Sequence, residues 1–567
     1  MRVLLITPPL TQLNTPYPAT AYLKGYYTAQ GHSARQTDLG LEVADRVLSR
    51  EFLESIGLTG HAKVIEPVKR FLRGQDDTLA PRIANRTLLP DGRRFAQLDE
   101  DNLEWAFGTS GTTDKAMHLA TLFIEDIADF IREQVDSHFD LVRYAEYLSN
   151  DAPTFDPLYN ELQQKPSRID RIMLELLEQA VDDFRPDRVC ISVPFPGCLY
   201  GALRCGQWLK ANTDAIVELG GGFPNTEWRQ LSDQRIYEFC HEVAIDGCPD
   251  GDLHCPDFSD LPLDRYLSLT EMTNPMHRLW SQGRWNKMVM AHGCYWHRCA
   301  FCDTTLDYIG RFRAPEATTV VDHMEHIVAQ TGRTGFHFVD EALPPRLLRE
   351  VAEEILRRGL AVSFWGNIRF EKAYTAELCQ LLAKAGMVAV SGGLEVASDR
   401  LLRLIDKGVT VEQTFAACRN LHDAGIMVHT YLMYGFPTET LQETVDALEN
   451  VRRMFDEGIV QSAFWHRYAM TCHSPSGCNP ETYGARRTSL TPNPFCNNEV
   501  DWLSTDGSQQ FPYDIEAVGA ALRLATYNYM NGLGLEQPLR SWFPIPVPRP
   551  STEKHPKNNR KGTTHLR

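Results

Sequence analysis

From residue 287 onward the sequence alternates between short apolar runs and amphipathic stretches, a pattern that few folds satisfy. Candidate strands fall at 287–291, 336–339, 362–365, 388–391, 428–433 and 461–464. Candidate helices fall between them at 315–330, 347–358, 375–385, 411–424 and 441–455. No hairpin signal separates the strands, so the run reads as successive βα units, which build a parallel sheet covered by helices. Six units rather than eight predict a barrel open on one side.

Directly after the first of these strands comes A-H-G-C-Y-W-H-R-C-A-F-C-D, with Cys294, Cys299 and Cys302 in one loop. The loop lies where a strand hands over to a helix, the ligand-binding end of any parallel α/β sheet. Thiolates are soft ligands that suit zinc or an iron–sulfur cluster. A structural zinc with His292, His297 or Asp303 as fourth ligand is the alternative, although such sites usually recruit a second, distant pair of ligands. Other strand ends carry chemistry too. Asp340 and Glu341 end the second strand, Arg369 follows the third, and Gly392-Gly393-Leu394-Glu395 ends the fourth. A solvated acidic turn is the plain alternative for the first of these, and Tyr434-Gly435-Phe436-Pro437 after the fifth strand reads equally well as a structural turn.

The first half of the chain opens β-α-β: a buried strand at 2–7, a break at Pro8-Pro9, a helix at 19–30 and a second strand at 33–37. The pattern then lapses into a mostly helical stretch, 41–166, and resumes with a helix at 167–184 and strands at 188–193, 215–219 and 242–245. This predicts a doubly wound, Rossmann-like domain of residues 1–40 and 167–246, split by an α-helical insertion at 41–166. The prolines at 249, 256, 262 and 275 mark 247–286 as a linker. The barrel then spans 287–468, a C-terminal extension containing Cys472, Cys478 and Cys496 spans 469–550, and a basic tail at 551–567 is expected to be disordered.

A formal net charge of −17 speaks against nucleic acid as an obligate partner, since phosphate binding needs a concentrated basic surface. No apolar run is long enough to span a bilayer, and the opening V-L-L-I is too short for a secretory signal, which predicts a cytoplasmic protein without a membrane partner. Fourteen cysteines in such a chain are expected to be reduced, with the clustered ones on metal.

With the cysteine loop after the first barrel strand and the βα units behind it, residues 287–468 resemble the radical S-adenosylmethionine (SAM) superfamily. The spacing departs from the familiar one: four residues, Tyr295 to Arg298, separate the first two cysteines where three are usual, while C-A-F-C is intact. The resemblance implies a 4Fe-4S cluster on Cys294, Cys299 and Cys302, with SAM on the remaining iron. It implies Phe301 near the adenine, Asp340 or Glu341 at the methionine ammonium, Arg369 at the SAM carboxylate, and Gly393 and Glu395 at the ribose.

The first half resembles the cobalamin-binding domain often fused ahead of such barrels. Its carriers are Thr7, Pro8 and Pro9, then 17–26, then Ser192, Val193 and Pro194, and the turn Gly220, Gly221, Gly222. The D-x-H-x-x-G loop that supplies a cobalt-ligating histidine is absent, and Asp136-Ser137-His138 imitates only its start. Together the two resemblances imply a cobalamin-dependent radical SAM methyltransferase of class B type, acting on an unactivated carbon of a small-molecule or peptide-derived substrate. Flavodoxin or ferredoxin would be the electron donor. The alternatives are cyclisation or rearrangement without net methylation, or a cobalamin or cluster sensor without turnover. Arg467, Tyr468 and His473 are candidates to face the substrate.

Overall fold

The computed structural model describes residues 1–98, 103, 107, 111–150, 152–248, 251–270, 274–488, 495–496, 498–506 and 509–551. The basic tail from Lys554 lies outside the described residues. Two parallel sheets organise the chain.

The first sheet has strands β1 (Arg2–Thr7), β2 (Ser33–Asp38), β3 (Arg188–Ser192), β4 (Ile216–Gly220) and β5 (Glu242–Val243), in the order β2-β1-β3-β4-β5. That is the doubly wound order of flavodoxin-like folds, whose ligands sit beyond the carboxyl ends of the strands. Val3, Leu4, Leu5 and Ile6 are all fully buried, as expected of a strand covered on both faces. The helical stretch after β2 does not form a core of its own. Phe71, Phe123 and Ile131 belong to the same apolar cluster as Leu4, Ile6 and Leu219. The segment read as an insertion is thus fused to the sheet by packing.

The second sheet has β6 (Trp285–Met288), β7 (Gly335–Phe338), β8 (Ser363–Ile368), β9 (Met387–Glu395), β10 (Met427–Tyr434) and β11 (Ser462–Arg467), in sequential parallel order. It is a partial barrel whose edges, β6 and β11, do not pair. Side chains alternate across it. Phe336, Phe338, Phe364 and Val390 join the helix-facing core, while His337, Trp365, Asn367 and Ser391 face the other way. The helices behind begin where polar caps allow. Thr410 with Gln413 and Thr440 with Glu443 form reciprocal capping boxes at Val411–Asp423 and Leu441–Asp456.

The proline-rich stretch between the sheets is a strap with a defined path. Lys24 is held by Asp257 and Asp260, and Arg265 pairs with Glu42 and Asp45. Tyr266 donates to Asp38 at 2.7 Å. A short helix, His277–Ser281, then brings Trp280 against His429 and Phe464, with ring centroids 5.2 and 6.3 Å apart. The strap therefore covers the barrel interior beside β11. Strand β6 starts two residues before the sequence pattern suggests, because Trp285 pairs with Gly335 in register.

Candidate active site

Both ends of the cysteine loop are tied to neighbours. Cys294 N–H donates to Ile309 O at 3.2 Å and Ala300 N–H to Ile405 O at 2.8 Å. Upstream, both oxygens of Asp340 accept backbone N–H groups of Met290 and Ala291, at 2.8 and 2.7 Å. The Tyr22 hydroxyl accepts from Val289 N–H at 2.6 Å, which couples the first domain to the start of the loop. Between the first two cysteines His297 has a left-handed φ of +37°, and its Nδ1 lies 2.9 Å from Cys294 O.

All three cysteines line one cavity of about 290 Å³, together with Phe301, Glu341, Arg369, Gly393 and Glu395. Two cations flank the sulfurs. Arg369 is 3% exposed, donates to Cys299 Sγ at 3.8 Å and to Lys407 O, and lies 4.4 Å over the Trp296 ring. Lys407 is buried, bonded to Glu395 at 2.8 Å, and sits 5.5 Å from the Phe301 ring. Burial pulls the Lys407 ammonium down, but Glu395 and Cys299 overcome it and its pKa is raised. Cys299 is held below the ordinary thiol range by its hydrogen bond with Cys302 and by Lys407 and Arg369, against burial.

The donor set suits a cluster better than a single ion. Among the described residues no three His, Cys, Asp or Glu side chains converge on a point that would hold one metal. Three thiols around one cavity, each free to take a different iron, with buried cations to offset thiolate charge, fit the group implied by the resemblance. His292, one zinc alternative, is instead pinned between Asp252 and Asp307, at 2.6 and 3.0 Å.

The structure separates the two carboxylates after β7. Glu341 lines the cavity with its residue exposed to it, and enclosure by the cavity walls, then Asp303, raises its pKa. Asp340 is 2% exposed and spends its oxygens on the loop, so it acts as a strut. Lys407 escapes sequence reasoning because its partners lie on other elements. Its only local signal is Gly408, where φ is +74° and an added Cβ would stand 2.2 Å from the Trp296 ring. Asn367, which donates to Asp340 O at 3.0 Å, and Tyr431 also line the cavity.

A second cavity, of about 640 Å³, lies between the two sheets. On the first-domain side it is lined by loop residues just beyond the strand ends, including Leu13, Tyr17, Phe195 and Gly197. The predicted residues themselves come together but turn inward. Val193 N–H donates to Gly220 O at 2.7 Å and Phe223 N–H to Val193 O at 3.0 Å, while Thr7 and Ser192 are buried. An added Cβ on Gly221 or Gly222 would lie within 3 Å of Val193 or Pro194, and one on Gly201 would lie 2.6 Å from Pro9 O. Thr7, Pro8, Pro9, Ser192, Val193, Pro194 and Gly220 to Gly222 form the rear wall of this end rather than the lining of the large cavity.

Several other candidates are engaged elsewhere. His138 contacts the Tyr147 hydroxyl at 2.7 Å and Glu161 at 3.2 Å. Arg467 pairs with Glu516, Tyr468 is bonded to Ser476 at 2.8 Å, and His473 lies 3.2 Å from Thr226 O; none of them lines either cavity. Cys478 donates to Cys472 O at 3.4 Å and Cys496 to Ser149 O at 2.8 Å, and among the described residues the three do not gather as a metal site.

A parallel partial barrel that carries three cysteines in the loop after its first strand defines a class, and residues 288–451 match the family model of the radical SAM superfamily. This part of the chain is a radical SAM domain. An uncharacterised methyltransferase of Pyrococcus horikoshii is 22% identical over 201 residues, 35% of this chain and 41% of that protein. The anaerobic magnesium-protoporphyrin IX monomethyl ester cyclase of Rubrivivax gelatinosus is 29% identical over 221 residues, 38% of this chain and 36% of that protein. The chain thus spans about two fifths of the length of these relatives. Among solved structures, the radical SAM methyltransferase TsrM of Kitasatospora setae, with cobalamin and a 4Fe-4S cluster bound, superposes with a TM-score of 0.47 at 15% identity, over 88% of this chain and 82% of that one. No helix among the described residues is long and apolar enough to cross a membrane.

Proposed function

We propose that the chain is a cobalamin-dependent radical SAM enzyme that methylates an unactivated carbon. The observation that carries this reading is that three thiols, two buried cations and the carboxylates of Glu341 and Glu395 share one cavity at the carboxyl end of a parallel barrel. When bound, a four-iron cluster with SAM supplies reductive cleavage to a carbon radical, and cobalamin supplies a methyl carrier. The chain's own side chains then have separable tasks. Glu341 receives the methionine ammonium, with Asp340 fixing the loop behind it. Glu395, held by Lys407, accepts from the ribose hydroxyls, Phe301 borders the adenine, and Arg369 faces the carboxylate while steadying Cys299.

Cobalamin is assigned to the cavity between the sheets, lined by the loops at 10–17 and 195–197. Support comes from the flavodoxin-like strand order and from the position of those loops beyond the strand ends. His138 is held by Tyr147 and Glu161, which supports a cobalt without a ligand from that histidine. A small molecule or peptide-derived substrate, an electron donor of the flavodoxin or ferredoxin type and a cytoplasmic location complete the proposal.

The cyclase among the relatives favours one second reading, cyclisation or rearrangement without net methylation. Anaerobically reconstituted protein given a reductant and methyl-labelled SAM is expected to release 5′-deoxyadenosine and to label its cobalamin. If 5′-deoxyadenosine forms while cobalamin stays unlabelled, the second reading replaces the first. If neither occurs and stoichiometric zinc is found, the enzyme reading fails.

A further inference from the structure

The inward-facing rows of the barrel continue below the cysteine cavity into the larger cavity between the sheets. Lys287, His337 and Trp365 occupy one register row on β6, β7 and β8 and line that cavity. The next inward row on β8 and β9, Asn367 and Ser391, lines the cavity of the cysteines. A ligand resting on the lower row therefore reaches up towards the proposed SAM site.

The lower row is built for a flat molecule. The His337 ring stacks on Trp365 with centroids 3.6 Å apart and planes 8° apart, and burial and the nearby Lys287 keep the imidazole neutral, its pKa pushed down to about 3. It is also rich in donors without partners. Burial alone pulls the Lys287 amine down to about 7, and no carboxylate among the described residues pairs with it. Trp285 Nε1 and Trp365 Nε1, which can only donate, are buried and unpartnered. The lining carboxylate on the opposite wall, Glu146, is taken by Arg143 at 3.3 Å. Two indole N–H groups left unpaired inside a protein are unfavourable, and beside them the part-buried Lys287 turns a basic group into the cavity.

Resting on the enzyme reading above, we propose that this row recognises the substrate through an oxyanion, a carboxylate on a flat aromatic molecule, with Lys287 as its cation and the His337–Trp365 stack as its shelf. A phosphate, such as the one in the nucleotide tail of a cobalamin, offers the same chemistry. The position of Lys287 on a barrel strand beneath the cysteine cavity, rather than on a first-domain loop, assigns the anion to the substrate.

The test is titration of 2-naphthoate, 2-naphthamide and 2-naphthyl phosphate into the anaerobically reconstituted full chain loaded with hydroxocobalamin, followed by tryptophan fluorescence and calorimetry. Naphthoate is expected to bind saturably and about tenfold or more tighter than the amide, as a charged hydrogen bond to a part-buried cation requires. Lys287→Met should erase that preference while leaving the cluster spectrum and the amide affinity unchanged. Trp365→Phe, which keeps an aromatic ring, though a smaller one, and removes the N–H, should reduce the preference by a smaller factor. Equal binding of acid and amide, no saturable binding of naphthoate, or a preference that survives Lys287→Met would overturn the proposal. If cobalamin loading abolishes naphthoate binding, or Lys287→Met releases cobalamin tenfold more readily, the anion belongs to the cofactor and the substrate assignment falls. Release of 5′-deoxyadenosine is measured on the same samples, so a barrel that cleaves SAM but ignores charge refutes this inference alone. A charge-selective barrel that never cleaves SAM refutes the enzyme reading.

Discussion

The two sheets end in opposite ways. At the carboxyl end of the first sheet, neighbouring loops are zipped by backbone hydrogen bonds, with glycines packed so closely that a methyl group would collide. At the same end of the barrel, Arg369, Lys407, Glu341 and Glu395 crowd round three thiols. A backbone-to-backbone end is already satisfied and serves as a rigid wall. An end that gathers charged side chains around three thiols has more to gain from a bound group. On the proposed reading, this difference assigns the chemistry to the barrel and a supporting role to the first sheet, with binding left to the loops beyond its wall.

The largest expected effect that would test this contrast is at the thiols. Cys299→Ala should abolish iron and sulfide content and all 5′-deoxyadenosine formation; a variant that retains full iron would remove the basis for calling this end reactive. Next is the buried ion pair. Lys407→Met strips Glu395 of its partner and should destabilise the protein by about 3 kcal/mol, read as a fall in the thermal midpoint of the reconstituted protein, with weaker SAM binding. A midpoint unchanged from wild type would mean that this end is less strained than its charges imply. A smaller effect is expected at Gly408→Ala, where a left-handed φ and the Trp296 ring both oppose a side chain. A loss of about 2 kcal/mol follows from strain of that kind, and denaturant unfolding should show it with the cluster still formed. Smallest is His138→Ala in the first domain. The cobalt(II) paramagnetic resonance spectrum should not change, and nitrogen splitting that disappears in the variant would show that the quiet end supplies a metal ligand after all.

Much of this architecture is legible in the sequence because period and punctuation are local properties. The apolar run from Val3 to Ile6 announces a strand buried on both faces, and Thr410-x-x-Gln413 announces a helix start, wherever the rest of the chain goes. The cysteines are legible because metal chemistry restricts both residue type and spacing. Lys407 and Lys287 are not, since a lysine on a loop and one on an alternating strand look the same whether they meet a carboxylate, a thiolate or nothing. The choice between Asp340 and Glu341 also needed coordinates, because adjacent residues point opposite ways and only the fold decides which way is inward. The strap was misleading for a different reason. Its prolines remove periodicity, yet Arg265 and Tyr266 dock through side-chain bonds that leave no periodic trace.

The left-handed His297 carries a consequence for how such loops are recognised. Counting residues between cysteines is a ruler marked in sequence, whereas a cluster measures only the gap between sulfurs. A single residue that reverses the hand of the backbone consumes length without adding reach, so a loop with one residue more can present its thiols to the same cavity. Motif searches with fixed spacing would pass over chains of this kind, and a pattern that allows an added residue wherever the backbone can turn left-handed would find them.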